Sequence, residues 1–124
     1  MPIALIAVGG AAGALSRFLV DTYVSERFGG AFPLGTLLIN LSGSFLLGVL
    51  FALAVEGARL PSETRPALMI GFLGAYTTFS TLMLESWRLV EDGAVLLAVT
   101  NLAGSMILGV VAVVAGMVIG RALA

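Results

Sequence analysis

The sequence predicts an all-α membrane protein of four transmembrane helices, the third of them broken. Three observations carry this. The chain of 124 residues is 60% hydrophobic and only 10% charged, where a soluble domain carries roughly a quarter charged residues, and its mean hydropathy is +1.13. Its apolar residues gather into four runs, each close to the ~20 residues that a spanning helix needs. Only the third run is interrupted by glycines followed by a dense cluster of hydroxyls.

The first span runs from Ile3 to Tyr23 and contains Arg17 and Asp21; the second, from Leu34 to Val55, has no charge. The third extends from Ala67 to Leu84 and the fourth from Ala94 to Gly120. The connections "SERFGGAFP", "EGARLPSETRP" and "SWRLVEDG" hold the charges and the Gly or Pro of a chain leaving a bilayer. No basic n-region precedes the first run and no A-x-A site follows it, so the expectation is a retained helix rather than a cleaved signal peptide. Without a Gly/Ser-rich or Pro-rich linker, residues 1–124 read as a single domain. Four short helices are too thin to enclose a roomy aqueous path alone, which points to oligomerisation.

Composition also excludes. With no cysteine and no histidine, disulfides, thiol chemistry, the usual zinc sites and the commonest general base are all absent, and an enzyme is not expected. A net charge of −1 with scattered arginines gives no nucleic-acid footprint. The arginines also fail to orient the chain. Arg59, Arg65 and Arg121 fall on the N-terminal side, while Arg17, Arg27 and Arg88 fall at or near the other, with no lysine to break the tie. Two readings stay open: a partner or lipid sets the orientation, or the chain inserts both ways and pairs as an antiparallel dimer.

Gly9 and Gly13, Gly116 and Gly120, and Gly104 beside Ser105 form small-residue faces that let helix backbones approach. In the second span, Thr36, Asn40 and Ser44 recur every fourth residue and share one face. Asn40 is the costly one, because an amide in a charge-free span needs partners. It serves either as interhelical glue or as a donor lining an anion path. The fourth span repeats the pattern with Asn101 and Ser105, which suggests a polar seam between the two helices.

The third span reads "GFLGAYTTFSTLMLE", with Gly71 and Gly74 ahead of Thr77, Thr78, Ser80 and Thr81. Hydroxyls this dense behind two glycines favour a local interruption, tolerated at membrane depth only where protein or a cavity covers it. The interruption frees carbonyl oxygens, which suit a cation, and places hydroxyl donors beside them. Phe79, inside the cluster, offers a ring edge that is electropositive without being charged.

Together "GGAAGALSRF" (residues 9–18), "GTLLINLSGSFLLG" (35–48) and "GFLGAYTTFSTLMLES" (71–86) resemble the Fluc/CrcB family of fluoride ion channels, in the family's order and spacing. The resemblance implies a passive, fluoride-selective channel exporting the anion across the cell inner membrane. It implies an antiparallel dual-topology dimer with two pores, the partner being a second copy or a paralogous subunit. It further implies a structural sodium ion at the dimer centre, held by carbonyls of Gly74 and Thr77 and not transported. By the same resemblance, Asn40, Phe79, Ser80, Thr81 and Ser105 match the ion pathway, and Arg17 matches the vestibule arginine. Two positions depart: Leu82 stands where the family has a second phenylalanine, and Asn101 where a tyrosine is common. The alternatives are a small multidrug-type transporter, which needs a membrane-embedded carboxylate in its first span, and a non-conducting subunit of a heterodimeric assembly. Asp21, close to the end of the first span, is four residues from Arg17 and within pairing reach of it.

Overall fold

The computed structural model describes residues 2–124, and every regular element among them is helical. α1 is Pro2–Phe28, α2 is Leu34–Glu56, α3 covers residues 66–76, α4 is Phe79–Glu91 and α5 is Val95–Leu123. α3 and α4 are the halves of one span, so the chain crosses four times and both termini lie on the same side. The last turns of α2 (Phe51–Glu56) and the first of α3 (Pro66–Phe72) are wound as π-helix, which widens the backbone at that end of the bundle.

The helices pair by close backbone approach. α1 lies on α3, with Gly9 facing the Ala67 carbonyl and Gly13 the Phe72 carbonyl. α2 lies on α5, where Gly48 meets Val113 and Gly116 meets Phe45. These are the contacts that the glycine spacings predict. Gly104 differs: a methyl added there meets nothing within 4 Å, so it packs no helix in this chain. The shared core is small, with Ile39, Leu73 and Tyr76 buried and Val20, Leu50 and Phe72 against them. It sits beside the junction of α3 and α4. The outer faces are apolar and open, as at Leu96 (78% exposed) and Met106 (70%), and lipid is their natural solvent.

Two helices outrun the spans read from hydropathy. α1 continues past Tyr23 to Phe28, where the Arg27 guanidinium lies 5.1 Å from the Tyr23 ring centroid, one turn back. α4 continues past Leu84 to Glu91, so most of the "SWRLVEDG" stretch is helix rather than loop. The reason is a stripe at helical spacing: Leu82, Ser86 and Leu89 are buried, while Trp87 and Arg88 stay outside. α4 then stops at Gly93, whose φ of +82° closes the end. The Gly93 and Ala94 N–H groups return to the Val90 and Leu89 carbonyls at 3.0 and 2.8 Å, a Schellman motif.

Candidate functional site

The third span breaks at Thr77 (φ −83°, ψ 158°) and Thr78 (φ −151°, ψ 120°), both extended. Local chemistry finishes each half-helix. Thr77 closes α3 by sending both its N–H (3.0 Å) and its Oγ1 (2.9 Å) to the Leu73 carbonyl. Thr78 caps α4, its Oγ1 accepting from the Thr81 N–H at 3.2 Å and donating to Thr81 Oγ1 at 3.0 Å.

The exposed backbone between the halves is claimed by α1 and α2. In a continuous helix the Thr78 N–H would bond the Gly74 carbonyl. Here it donates to Asn40 Oδ1 at 2.9 Å, while Asn40 Nδ2 donates back to the Thr78 carbonyl at 3.1 Å. A single side-chain amide thus satisfies both backbone groups of Thr78. Arg17 Nε donates to the Ala75 carbonyl at 3.1 Å, and the Tyr76 and Ser42 hydroxyls are 3.0 Å apart. Room for this comes from Gly43, where a methyl would strike the Thr77 side chain and come within 3.3 Å of the Tyr76 ring.

Two cavities flank the break. On one side a groove of about 390 Å³ is lined by Asn40, Ser44, Gly74, Phe79, Leu82 and Ser105, with Thr77 and Thr78 at its wall. Behind it a smaller cavity of about 160 Å³ is lined by Arg17, Asp21, Thr36, Thr78 and Thr81. The structure therefore brings Asn40, Phe79 and Ser105 together with Gly74 and Thr77. It puts Arg17 and Thr81 on the far side of Thr78. Ser80 is exposed and lines neither cavity.

Phe79 is 74% exposed although it lies on the same α4 stripe as the buried Leu82, Ser86 and Leu89. The stripe meets α5 lower down, and at the height of Phe79 the groove opens, leaving the ring standing over it. Asn101 is fully buried and donates through Nδ2 to Ser86 Oγ at 2.9 Å, joining α5 to α4.

Arg17 does not pair with Asp21 as the four-residue spacing suggests. Its Nε is turned to α3, and among the described residues the one ion pair is Arg121–Glu56, between α5 and the end of α2. The guanidinium is drawn to a half-helix C-terminus, whose carbonyls favour a cation. Sequence reasoning also passed over Thr78 as the pivot of the break, and over Tyr76 and Ser42. A threonine immediately before the apolar Phe79 is an N-cap signal that marks Thr78; nothing local marks the Tyr76–Ser42 contact.

The groove side of the break, rich in oxygens and without an acid, suits a hard monovalent cation better than a transition metal. Gly74 has lost the donor that a continuous helix would give its carbonyl, and Thr77 is extended, so both carbonyls are of the kind that unwound membrane helices turn to sodium.

A family model for CrcB-like protein, Camphor Resistance (CrcB), matches residues 4–117. A fluoride-specific ion channel FluC of Magnetococcus marinus is 44% identical over 121 residues, covering 98% of both chains. A FluC of Hahella chejuensis is 47% identical over 116 residues, covering 94% of this chain and 91% of that protein. One of Methylococcus capsulatus reaches 50% over 119 residues, 96% of this chain but 52% of the longer relative. With four apolar spans, a broken third helix and a match from residue 4 to residue 117, the chain belongs to the CrcB-like family of multi-pass membrane proteins.

Proposed function

We propose that the chain is a passive fluoride-selective channel that lets the anion leave the cytoplasm. The observation that carries this reading is near-full-length kinship with proteins named fluoride-specific ion channels. The geometry supports it. Fluoride is small and strongly hydrated, so a pore must replace its water with donors of similar strength and no trapping charge. The groove offers such a set. Asn40 spends one N–H on Thr78 and keeps a second, the Ser105 hydroxyl is buried without a partner, and Phe79 lines the same groove.

The working unit on this reading is an antiparallel dimer with two pores. Phe79, Ser80 and the groove open on the surface of a single chain, so a second copy, or a paralogous subunit, completes the walls. Ser80 and Thr81 extend the hydroxyl track from the N-terminus of α4, and Arg17, behind the break, raises the local potential for an anion. Gly74 and Thr77 of the two chains would hold a central sodium ion, whose charge ties the broken helices together and is not transported.

Neither rival fits as well. A drug–proton exchanger needs a carboxylate in mid-membrane on its first span, and the acid of α1 in the spanning region, Asp21, packs against Gly35 near the loop. A non-conducting subunit is favoured by one feature only, Leu82 in the place of an aromatic ring. Expression in a bacterial strain that lacks its own fluoride exporter tests the reading. Growth in fluoride should be restored by this chain alone. Rescue only with a paralogous partner would make it half of a heterodimer, and no rescue in either case would overturn the channel.

A further inference from the structure

The cavity of about 160 Å³ behind the break has two charged residues in its lining, Arg17 and Asp21, and Thr36, Thr78 and Thr81 supply its hydroxyls. Arg17 commits Nε to the Ala75 carbonyl, and a guanidinium has four further N–H donors. Alone in so small a space, that cation would hold a small anion rather than pass it on. Asp21 is the counterweight, yet it forms no ion pair with Arg17 or with any other cation among the described residues. A backbone balances it instead. A methyl on the buried Gly35, the second residue of α2, would collide with Asp21 Oδ1, so the carboxylate lies on the first turn of that helix. No side chain caps this turn by a hydrogen bond, and its N–H groups carry the positive end of the helix dipole. The carboxylate is thus fixed in the wall without neutralising Arg17 by contact. Asp21 also lines a cavity of about 320 Å³ at the loop of residues 29–33, where Glu85 and Arg88 are the other charged residues.

Resting on the channel reading above, we propose that Asp21 sets how tightly the Arg17 cavity holds fluoride. It is a release residue, a fixed negative charge that offsets the guanidinium so that an anion drawn in by Arg17 leaves again. With one unit charge of each sign in its lining, the cavity offers hydroxyl and guanidinium donors in place of water without a net charge to trap the ion. Glu85 and Arg88 face Asp21 across the loop-side cavity and oppose each other there. Within the Arg17 cavity no second acid shares the task.

Fluoride efflux from proteoliposomes holding the full chain, at constant ionic strength and with thermal stability of the same preparations, tests this. The readout is the rate at about 1 mM fluoride divided by the rate at about 100 mM, a ratio that rises as the ion is held more tightly and from which the amount of folded protein cancels. Asp21→Asn keeps the shape and removes the charge, so the ratio should rise at least about threefold, through a lower rate at high fluoride. Asp21→Ser, smaller and equally neutral, should do the same. Adding Arg17→Gln to Asp21→Asn removes both charges and should return the ratio to within about twofold of the parent. An unchanged ratio in both neutral variants, or a rise that the Arg17 change does not reverse, would overturn the proposal. Loss of the folded protein in both would also overturn it, by making the carboxylate a structural prop of α2. A parent chain silent to fluoride overturns the channel reading itself, whereas a conducting parent with an indifferent Asp21 overturns only the release role.

Discussion

On the channel reading, Asn40 carries two duties on one amide. Its Oδ1 and one N–H hold Thr78, and its remaining N–H is the only part free for an ion. Asn40→Ala leaves both backbone groups of Thr78 unpaired in the protein interior and should cost about 2–4 kcal/mol, read as a lower unfolding temperature in detergent. Asn40→Asp keeps an acceptor for the Thr78 N–H but loses both donors and adds a negative charge, so fluoride efflux from vesicles should be abolished. Unchanged efflux would remove Asn40 from the path. The sequence marked this residue as costly but not what it touches, because its partner lies 38 positions away. Arg17 teaches the same lesson. Spacing offered Asp21 four residues on, and the fold chose the Ala75 carbonyl 58 residues on.

The broken span depends on space as much as on hydrogen bonds. Gly43 faces Thr77 and Tyr76 with no room for a methyl, so Gly43→Ala must displace the break or α2. It should destabilise by about 1–3 kcal/mol and slow fluoride efflux. Gly104→Ala, into open space, should change neither; matched behaviour of the two variants would contradict the packing described. The break itself was legible, since glycines ahead of four hydroxyls weaken one helix in a way that no other span repeats. Its two ends were legible in part. Thr78 caps by a rule readable from sequence, whereas the length of α4 was hidden, because charges at Glu85, Arg88 and Glu91 look like loop until the buried stripe of Leu82, Ser86 and Leu89 is seen beneath them.

For the whole molecule, the four-span architecture followed from hydropathy alone, while orientation did not, because six arginines divide evenly between the two sides. Pairing of antiparallel copies would resolve that balance and cover Phe79, which a lone chain leaves 74% exposed. The chain has no cysteine, so a single introduced one reports cleanly. Ser62→Cys, in the exposed loop between α2 and α3, should be labelled by an impermeant maleimide from outside the cell in about half of the molecules. Labelling of all or none would exclude dual topology. Beyond topology stands the question whether this chain without a partner moves the ion that its relatives are named for. Fluoride and chloride efflux, compared in vesicles holding only this purified chain, decides it most directly. Rapid loss of fluoride with chloride retained is the predicted result, and retention of both, or equal loss of both, would contradict it.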